Sequence, residues 1–257
     1  MHAQAMVAEE IRHDEARFYF KLAVAMAMVV VAGFSTNILM GRSSFGAPLR
    51  VHIHAVVFMG WVALYVLQNW LVARGNIGVH RRLGWIALPW VLAMLLFGLI
   101  ASDAMVRAGN VPFFFIPQHF MIADPATLLC FAALTAAAIA LRGRSDWHRR
   151  LHLCAMAALM GPAFGRLIPM PLLVPFAFET AAMLGLLFPL IAMHRDLRLG
   201  AFHPAWAWGL PALPATLIFA AVVGHSPLAT EIYVALTSET AGARVDPLAH
   251  GVPPPGM

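Results

Sequence analysis

A ten-residue pattern with a histidine at its seventh position occurs twice in this chain of 257 residues. The first copy, Arg74–Leu83, reads RGNIGVHRRL, and the second, Arg142–Leu151, reads RGRSDWHRRL and lies 68 residues later. In a membrane protein, 68 residues correspond to about two helices and their loops. The repeat therefore predicts that His80 and His148 lie at the same membrane face. Two imidazoles at one depth are what a bis-histidine haem or a metal site requires.

The composition indicates an all-α, polytopic membrane helix bundle. Hydrophobic residues make up 61% of the chain and charged residues 11%, and the mean hydropathy is +0.78, whereas soluble domains are about 25% charged. Lys21 is the only lysine, so no late helix carries a lysine for a covalently bound retinal. The arginines lie at the ends of the apolar runs rather than in one basic tract, so we expect no nucleic-acid partner.

Seven apolar runs approach the ~20 residues that a bilayer-spanning helix needs. They cover residues 18–40, 51–73, 82–103, 119–141, 150–168, 171–193 and 206–224. The sequence thus predicts seven transmembrane helices, in which helices 2–3 and 4–5 form a duplicated hairpin over residues 51–103 and 119–168. Pro162, Pro169 and Pro171 leave open whether the fifth and sixth runs are separate spans or a bent pair.

The distribution of basic residues predicts the orientation. With a cytoplasmic N-terminus, twelve of the 17 Lys and Arg residues fall on inner segments, as the positive-inside rule requires. We therefore expect a multi-pass protein of the bacterial inner membrane with a periplasmic C-terminus. Residues 1–17 read as a cytoplasmic lead-in, residues 18–225 as the transmembrane domain, and residues 226–257 as a polar, proline-rich and partly disordered tail.

A second group of histidines is predicted near the outer face. His54 shares a helical face with aromatic and polar residues that belong inside a bundle, whereas His52 points about 200° away. His119 lies above small residues that leave room for a flat cofactor. These positions favour His54 and His119 as ligands of a haem or a metal ion, and His52 and His152 remain alternatives. The two faces comprise Phe58, Trp61, Tyr65 and Gln68 with His54, and Ala123, Ala126, Thr127 and Cys130 with His119.

Three charged residues within the predicted spans look buried and need partners: Asp124, Arg166 and Glu179. Such residues are rare in membranes and pair with each other or line a pathway. We expect Arg166 to form an ion pair with Asp124 or Glu179, and the alternative is a proton path or a site for an anion or a quinone headgroup.

The order of four histidines resembles a known arrangement. His52, His80, His119 and His148 are spaced by 28, 39 and 29 residues, which is similar to the ascorbate-reducible di-haem transmembrane cytochrome b family and its ferric reductase relatives. The segment from His54 to Gly84 also looks like uncharacterised bacterial membrane proteins. The resemblance covers residues 50–170.

The resemblance implies two b-type haems. His52 or His54 with His119 would bind the outer haem, and His80 with His148 or the deeper His152 would bind the inner one. It also implies electron transport across or within the membrane, with a quinone or another redox protein as partner.

Two other classes of function remain open from the sequence. One is a non-enzymatic subunit of a larger membrane complex, a carrier or a binding protein that uses Asp124, Arg166 and Glu179. The other is a non-haem metal oxidase, for which the His148/His152 pair offers one HxxxH motif on the inner face. The sequence does not decide whether the protein is an enzyme.

Overall fold

The protein is a bundle of α-helices in a computed structural model, which describes the backbone of residues 2–253 and the side chains of Glu10 and residues 13–253. No β-strand occurs within residues 2–253. The helices are α1 (His2–Leu39), α2 (Leu49–Ala73), α3 (Ile77–Gly84), α4 (Ala87–Arg107), α5 (Pro117–Ala140), α6 (Ser145–Ala158), α7 (Gly161–Leu167), α8 (Ala177–Leu184), α9 (Leu187–Arg198), α10 (Ala205–Gly224) and α11 (Pro227–Thr237). Short 3₁₀ turns cover Met170–Leu173 and Ala241–Arg244.

Among the described residues, five helices are long and apolar enough to cross a membrane: α1 from His13, α2, α4, α5 and α10. The pair α8 and α9 meets the same test together, although its axis bends by 41°. Many large apolar side chains on these helices are exposed, as expected for surfaces that face lipid tails. The prediction of an all-α membrane bundle is confirmed.

The predicted count of seven spans is not confirmed, because the fifth predicted span, residues 150–168, is divided between α6 and α7. The break precedes Gly161-Pro162, where proline removes a helix hydrogen bond. Neighbouring helices rather than lipid cover α6, so it does not need a long apolar stretch. Its buried residues include Leu151, Leu153, Cys154, Ala155, Met156, Ala157 and Ala158.

The bundle has two ends, which the contacts of α1 identify. Arg149 Nη2 lies 2.8 Å from Glu15 Oε1 at one end, and the guanidinium of Arg166 lies 4.2 Å from the ring centre of Phe34 at the other. α7 therefore packs against α1 near the second of these ends, whereas α6 reaches α1 through the Arg149 and Arg150 side chains at the first. We call the first the motif end, because His80 and His148 of the two repeats meet there. The opposite end is the cap end.

The two copies of the repeat begin their helices alike and then diverge. Each histidine is the fourth residue of its helix, His80 in α3 and His148 in α6. Gly75 has a φ of 74° and closes α2 in a conformation that favours glycine, whereas Gly143 does not have a positive φ. α3 has eight residues, none of them buried, while most of α6 is buried. The duplicated hairpin therefore stays a prediction from sequence.

The C-terminal segment differs from the predicted loose tail. Ser226 is the N-cap residue of α11, and its Oγ accepts a hydrogen bond from the backbone N–H of Ala229 at 3.3 Å. Further along, the N–H of Gly251 donates to the Phe113 carbonyl at 2.9 Å. Residues 226–253, the C-terminal cap, therefore fold back over the loop between α4 and α5. The apolar side chains on one face of α11 explain the difference, because Ala229 and Tyr233 are buried there.

We expect Gly33→Val to destabilise the bundle, because α1 and α7 touch at this position. A Cβ on Gly33 would lie 2.5 Å from the Ala163 carbonyl oxygen. Overpacking of this kind costs about 1–3 kcal/mol. Gly78→Val on α3 is the control, since no heavy atom lies within 4 Å of its added Cβ. Thermal unfolding in detergent, followed by circular dichroism, measures both; equal shifts in the two variants would contradict the close contact.

Candidate functional site

Three histidines gather at the motif end. The ring centres of His80 and His148 are 6.2 Å apart, with an interplanar angle of 82°. His152 follows His148 by one helical turn, and their ring centres are 4.7 Å apart. The structure thus brings together the predicted inner pair and the deeper alternative ligand. His80 and His148 occupy the same position of the repeated motif, which in each copy is the fourth residue of a helix. At the motif end their side chains point towards each other between α3 and α6.

Neighbouring polar groups orient the two facing imidazoles. His148 Nδ1 lies 2.8 Å from the Ala138 carbonyl oxygen, so it carries the proton and leaves Nε2 with a free lone pair. The Gln68 amide, oriented so that both its ends are paired, donates to His80 Nδ1 at 2.6 Å and accepts from the Gly84 N–H at 3.0 Å. In that orientation the proton of His80 is on Nε2.

The surroundings favour neutral imidazoles at this site. Burial lowers the pKa of His80, and the nearby His148 and Arg81 lower it further, against a hydrogen bond to the backbone of Gln68 that raises it. Burial also lowers the pKa of His148, where Arg142 and Arg149 act in the same direction and the bond to Ala138 opposes them. Both rings are therefore uncharged at neutral pH, which is the form that binds metals.

A buried ion-pair network lies next to the histidines. Arg150 Nε donates to Asp196 Oδ2 at 2.8 Å, and Trp206 Nε1 donates to the same oxygen at 2.7 Å. Arg150 Nη2 also lies 3.4 Å from Glu15 Oε1. These contacts join α1, α6, α9 and α10 at the motif end. They hold α6, and with it His148, in a fixed position.

A smaller polar contact flanks this network. His203 Nε2 lies 2.7 Å from Asp146 Oδ2. Partial burial raises the pKa of the Asp146 carboxyl, but the hydrogen bond to His203 and those to backbone N–H groups outweigh it and lower the pKa overall. This contact fixes the first turn of α6 against the loop before α10.

The predicted outer ligands do not meet in the structure. His119 Nε2 lies 3.3 Å from Glu179 Oε1, and its ring centre lies 5.3 Å from that of His225. His54 instead stacks on Phe58, with ring centres 4.2 Å apart, and its Nδ1 lies 3.4 Å from the Phe97 carbonyl oxygen. The two histidines therefore contact different helices. His52 lies half-buried in the first turn of α2.

His119 Nε2 and Glu179 Oε1 are close enough for an electrostatic contact, but their relative orientation does not allow a hydrogen bond. Gly224 makes this contact possible, since a Cβ there would lie 3.0 Å from the His119 ring.

The predicted ion pair of Arg166 with Asp124 or Glu179 is wrong. Asp124 accepts a hydrogen bond from the Ser102 hydroxyl, and Glu179 contacts His119. The guanidinium of Arg166 lies over the Phe34 ring and donates to the Pro162 carbonyl at 2.6 Å. Asp124 and His119 are five residues apart on α5, about 140° around the helix, so they face different neighbours. The three ionisable groups therefore form no common site.

Several residues that contact the histidines or the neighbouring arginines were not identified from the sequence. No sequence motif marks the Ala138 carbonyl or Asp196 as a contact of this site. Glu15 lies in the segment predicted as a cytoplasmic lead-in. His225 is exposed, and its ring centre lies 5.3 Å from that of His119. Among the described residues, no group of three or more His, Cys, Asp or Glu residues is arranged to hold a metal ion. Of the histidine pairs predicted from opposite repeats, His80 and His148 are the pair that the structure brings together.

Comparisons with protein family models, curated proteins and solved structures find no match to this chain.

Proposed function

We propose that this protein is an integral membrane redox protein that binds haem b between His80 and His148. The observation that carries the proposal is the meeting of these two imidazoles, which come from the two copies of the repeat, at 6.2 Å between ring centres. Two imidazoles bound to one metal ion from opposite sides have ring centres about 6 Å apart, since each metal–nitrogen bond is about 2 Å long. The separation leaves room for one iron, which His80 and His148 would hold.

The residues around the pair support ligation. His148 already has the arrangement common to metal-binding histidines, in which one ring nitrogen donates to a carbonyl and the other is free. His80 reaches the same state when the Gln68 amide presents its oxygen rather than its nitrogen to Nδ1. The lowered pKa values of both rings keep protons from competing with the metal.

When bound, haem supplies one-electron transfer, and the protein adjusts its potential through axial ligation and burial. The chain's own residues position the rings, and the Arg150–Asp196 network keeps α6 in place. The site lies at the end of the apolar helices, so an electron donor or acceptor, a quinone among them, would approach from that face. By the positive-inside rule the motif end faces the cytoplasm of a bacterial inner membrane.

A reduced-minus-oxidised absorption spectrum of the purified, haem-supplied protein tests this function. We expect the sharp α-band of a six-coordinate b-type haem, with about one haem per chain for the single pair of ligands. Folded protein without this band would overturn the proposal. Iron found without haem would instead support a non-haem metal oxidase.

A further inference from the structure

Five exposed arginines form a patch at the motif end, apart from the histidine pair. They are Arg74, Arg81, Arg82, Arg142 and Arg144, and we call them the arginine patch. Both copies of the repeat contribute to it. Among the side chains that the structure describes, no Asp or Glu carboxylate lies within 4.0 Å of any of these guanidiniums. Arg142 Nη1 donates to the Ile139 carbonyl at 3.1 Å, and its other donors carry no carboxylate partner.

Three arginines of the patch make cation–π contacts with tryptophan rings. Arg142, from the second repeat, lies 5.2 Å from the ring centre of Trp85, which follows the first repeat. Arg144 lies 5.0 Å from the Trp147 ring, and Arg74 lies 6.0 Å from the Trp70 ring. Stacking on Trp85 places the charge of Arg142 next to the segment that follows the first repeat, and the contact between His80 and His148 brings the two repeats together at this end. Cation–π contacts of this kind also fix the planes of the guanidiniums.

The patch lies at the boundary of the apolar helices. α2 ends at Ala73, α4 begins at Ala87 and α5 ends at Ala140, so its arginines occupy the connections directly beyond three candidate membrane spans. Trp85 is 58% exposed, and exposed tryptophan at such a boundary is typical of the headgroup layer. Charged donors and aromatic rings therefore coincide at the depth of lipid phosphates.

A comparison of the two repeats shows that Arg81 and Arg82 do not form the ion pairs that their counterparts form. Arg149 and Arg150 occupy the same motif positions as Arg81 and Arg82, but they pair with Glu15 and Asp196 inside the bundle. The arginines of the patch have no such function within the fold. Guanidinium groups bind phosphate oxygens through two parallel hydrogen bonds, and basic pockets between membrane helices bind acidic headgroups.

We propose that the arginine patch, to which both copies of the repeat contribute, binds the phosphate headgroup of an anionic phospholipid, with Arg142 held beside Trp85. Arg142 and the Arg81–Arg82 pair supply the phosphate contacts, and Trp85 anchors the acyl–headgroup boundary. The assignment is independent of haem binding.

Native mass spectrometry of the detergent-purified protein tests this site with phosphatidylglycerol and phosphatidylcholine of identical acyl chains. We expect the wild type to bind phosphatidylglycerol at least about tenfold more tightly, given the attraction of several basic residues. The triple variant R81Q/R82Q/R142Q should lose that preference. The matched control R42Q/R50Q/R244Q removes three exposed arginines at the cap end and should keep it.

Two further measurements remain decisive if the triple variant does not fold. In the wild type, brominated phosphatidylglycerol should quench part of the tryptophan fluorescence, and Trp85→Phe should remove that part. Inorganic phosphate should compete only weakly. Equal binding of both lipids by the wild type, equal loss in the two triple variants, or phosphate binding as tight as that of phosphatidylglycerol would each overturn the proposal.

Discussion

Asp196→Ala should be the most destabilising single substitution at the motif end, with a loss of about 3–5 kcal/mol in the free energy of unfolding. The substitution leaves the Arg150 guanidinium, which is 6% exposed, without its closest carboxylate. It also removes the acceptor of Trp206 Nε1. Glu15 stays 3.4 Å from Arg150 Nη2, but the buried Nε loses its closest counter-charge and water does not replace it, which is costly.

Asp103→Ala is the matched control for this prediction. Asp103 pairs with Arg107 four residues later, but both side chains are more than 40% exposed, and such pairs contribute about 0–1 kcal/mol. Unfolding in detergent, followed by tryptophan fluorescence, compares the two. The double variant R150M/D196A should recover part of the loss, because it removes the uncompensated charge. Similar losses in Asp196→Ala and Asp103→Ala would mean that the buried network does not hold α6.

His80→Ala and His148→Ala should each abolish the haem α-band of the haem-supplied protein. Each substitution removes one of the two axial ligands proposed for the iron, and a six-coordinate haem needs both. His54→Ala and His119→Ala should leave the band unchanged, because those residues contact Phe58 and Glu179 rather than each other. Absorption spectra of all four variants, together with circular dichroism to verify folding, provide the measurement.

The reverse pattern would restore the outer pair that the sequence favoured. If His54→Ala and His119→Ala removed the band while His80→Ala and His148→Ala kept it, the haem would lie at the cap end. A band that persists in all four folded variants would exclude both pairs as ligands. Heat stability of each variant in detergent separates loss of a ligand from loss of the bundle.

Composition alone determined the class of this protein. Long apolar runs in a chain with few charges form membrane-spanning α-helices, because a helix satisfies the backbone hydrogen bonds of such a run within the run itself. The positions of α1, α2, α4, α5 and α10 follow from those runs. The repeat also predicted correctly that His80 and His148 share one end of the bundle, because matching positions after parallel helices return to the same face.

Tertiary structure decided what the repeated motif does in each copy. Arg81 and Arg82 stay exposed on α3, whereas Arg149 and Arg150 reach Glu15 and Asp196. Arg150 belongs to a motif of ten residues, but its partners Asp196 and Glu15 lie 46 and 135 residues away in the sequence.

The same reason explains where the contacts at the cap end differ from those expected from the sequence. The pairing of His119 with Glu179 rather than His54 depends on which face of α5 turns towards α8 and α10. The fold of residues 226–253 depends on the loop between α4 and α5, which supplies the Phe113 carbonyl. Hydrophobic periodicity determines that a helix forms and roughly where it ends; the packing of several helices determines which of its polar groups meet.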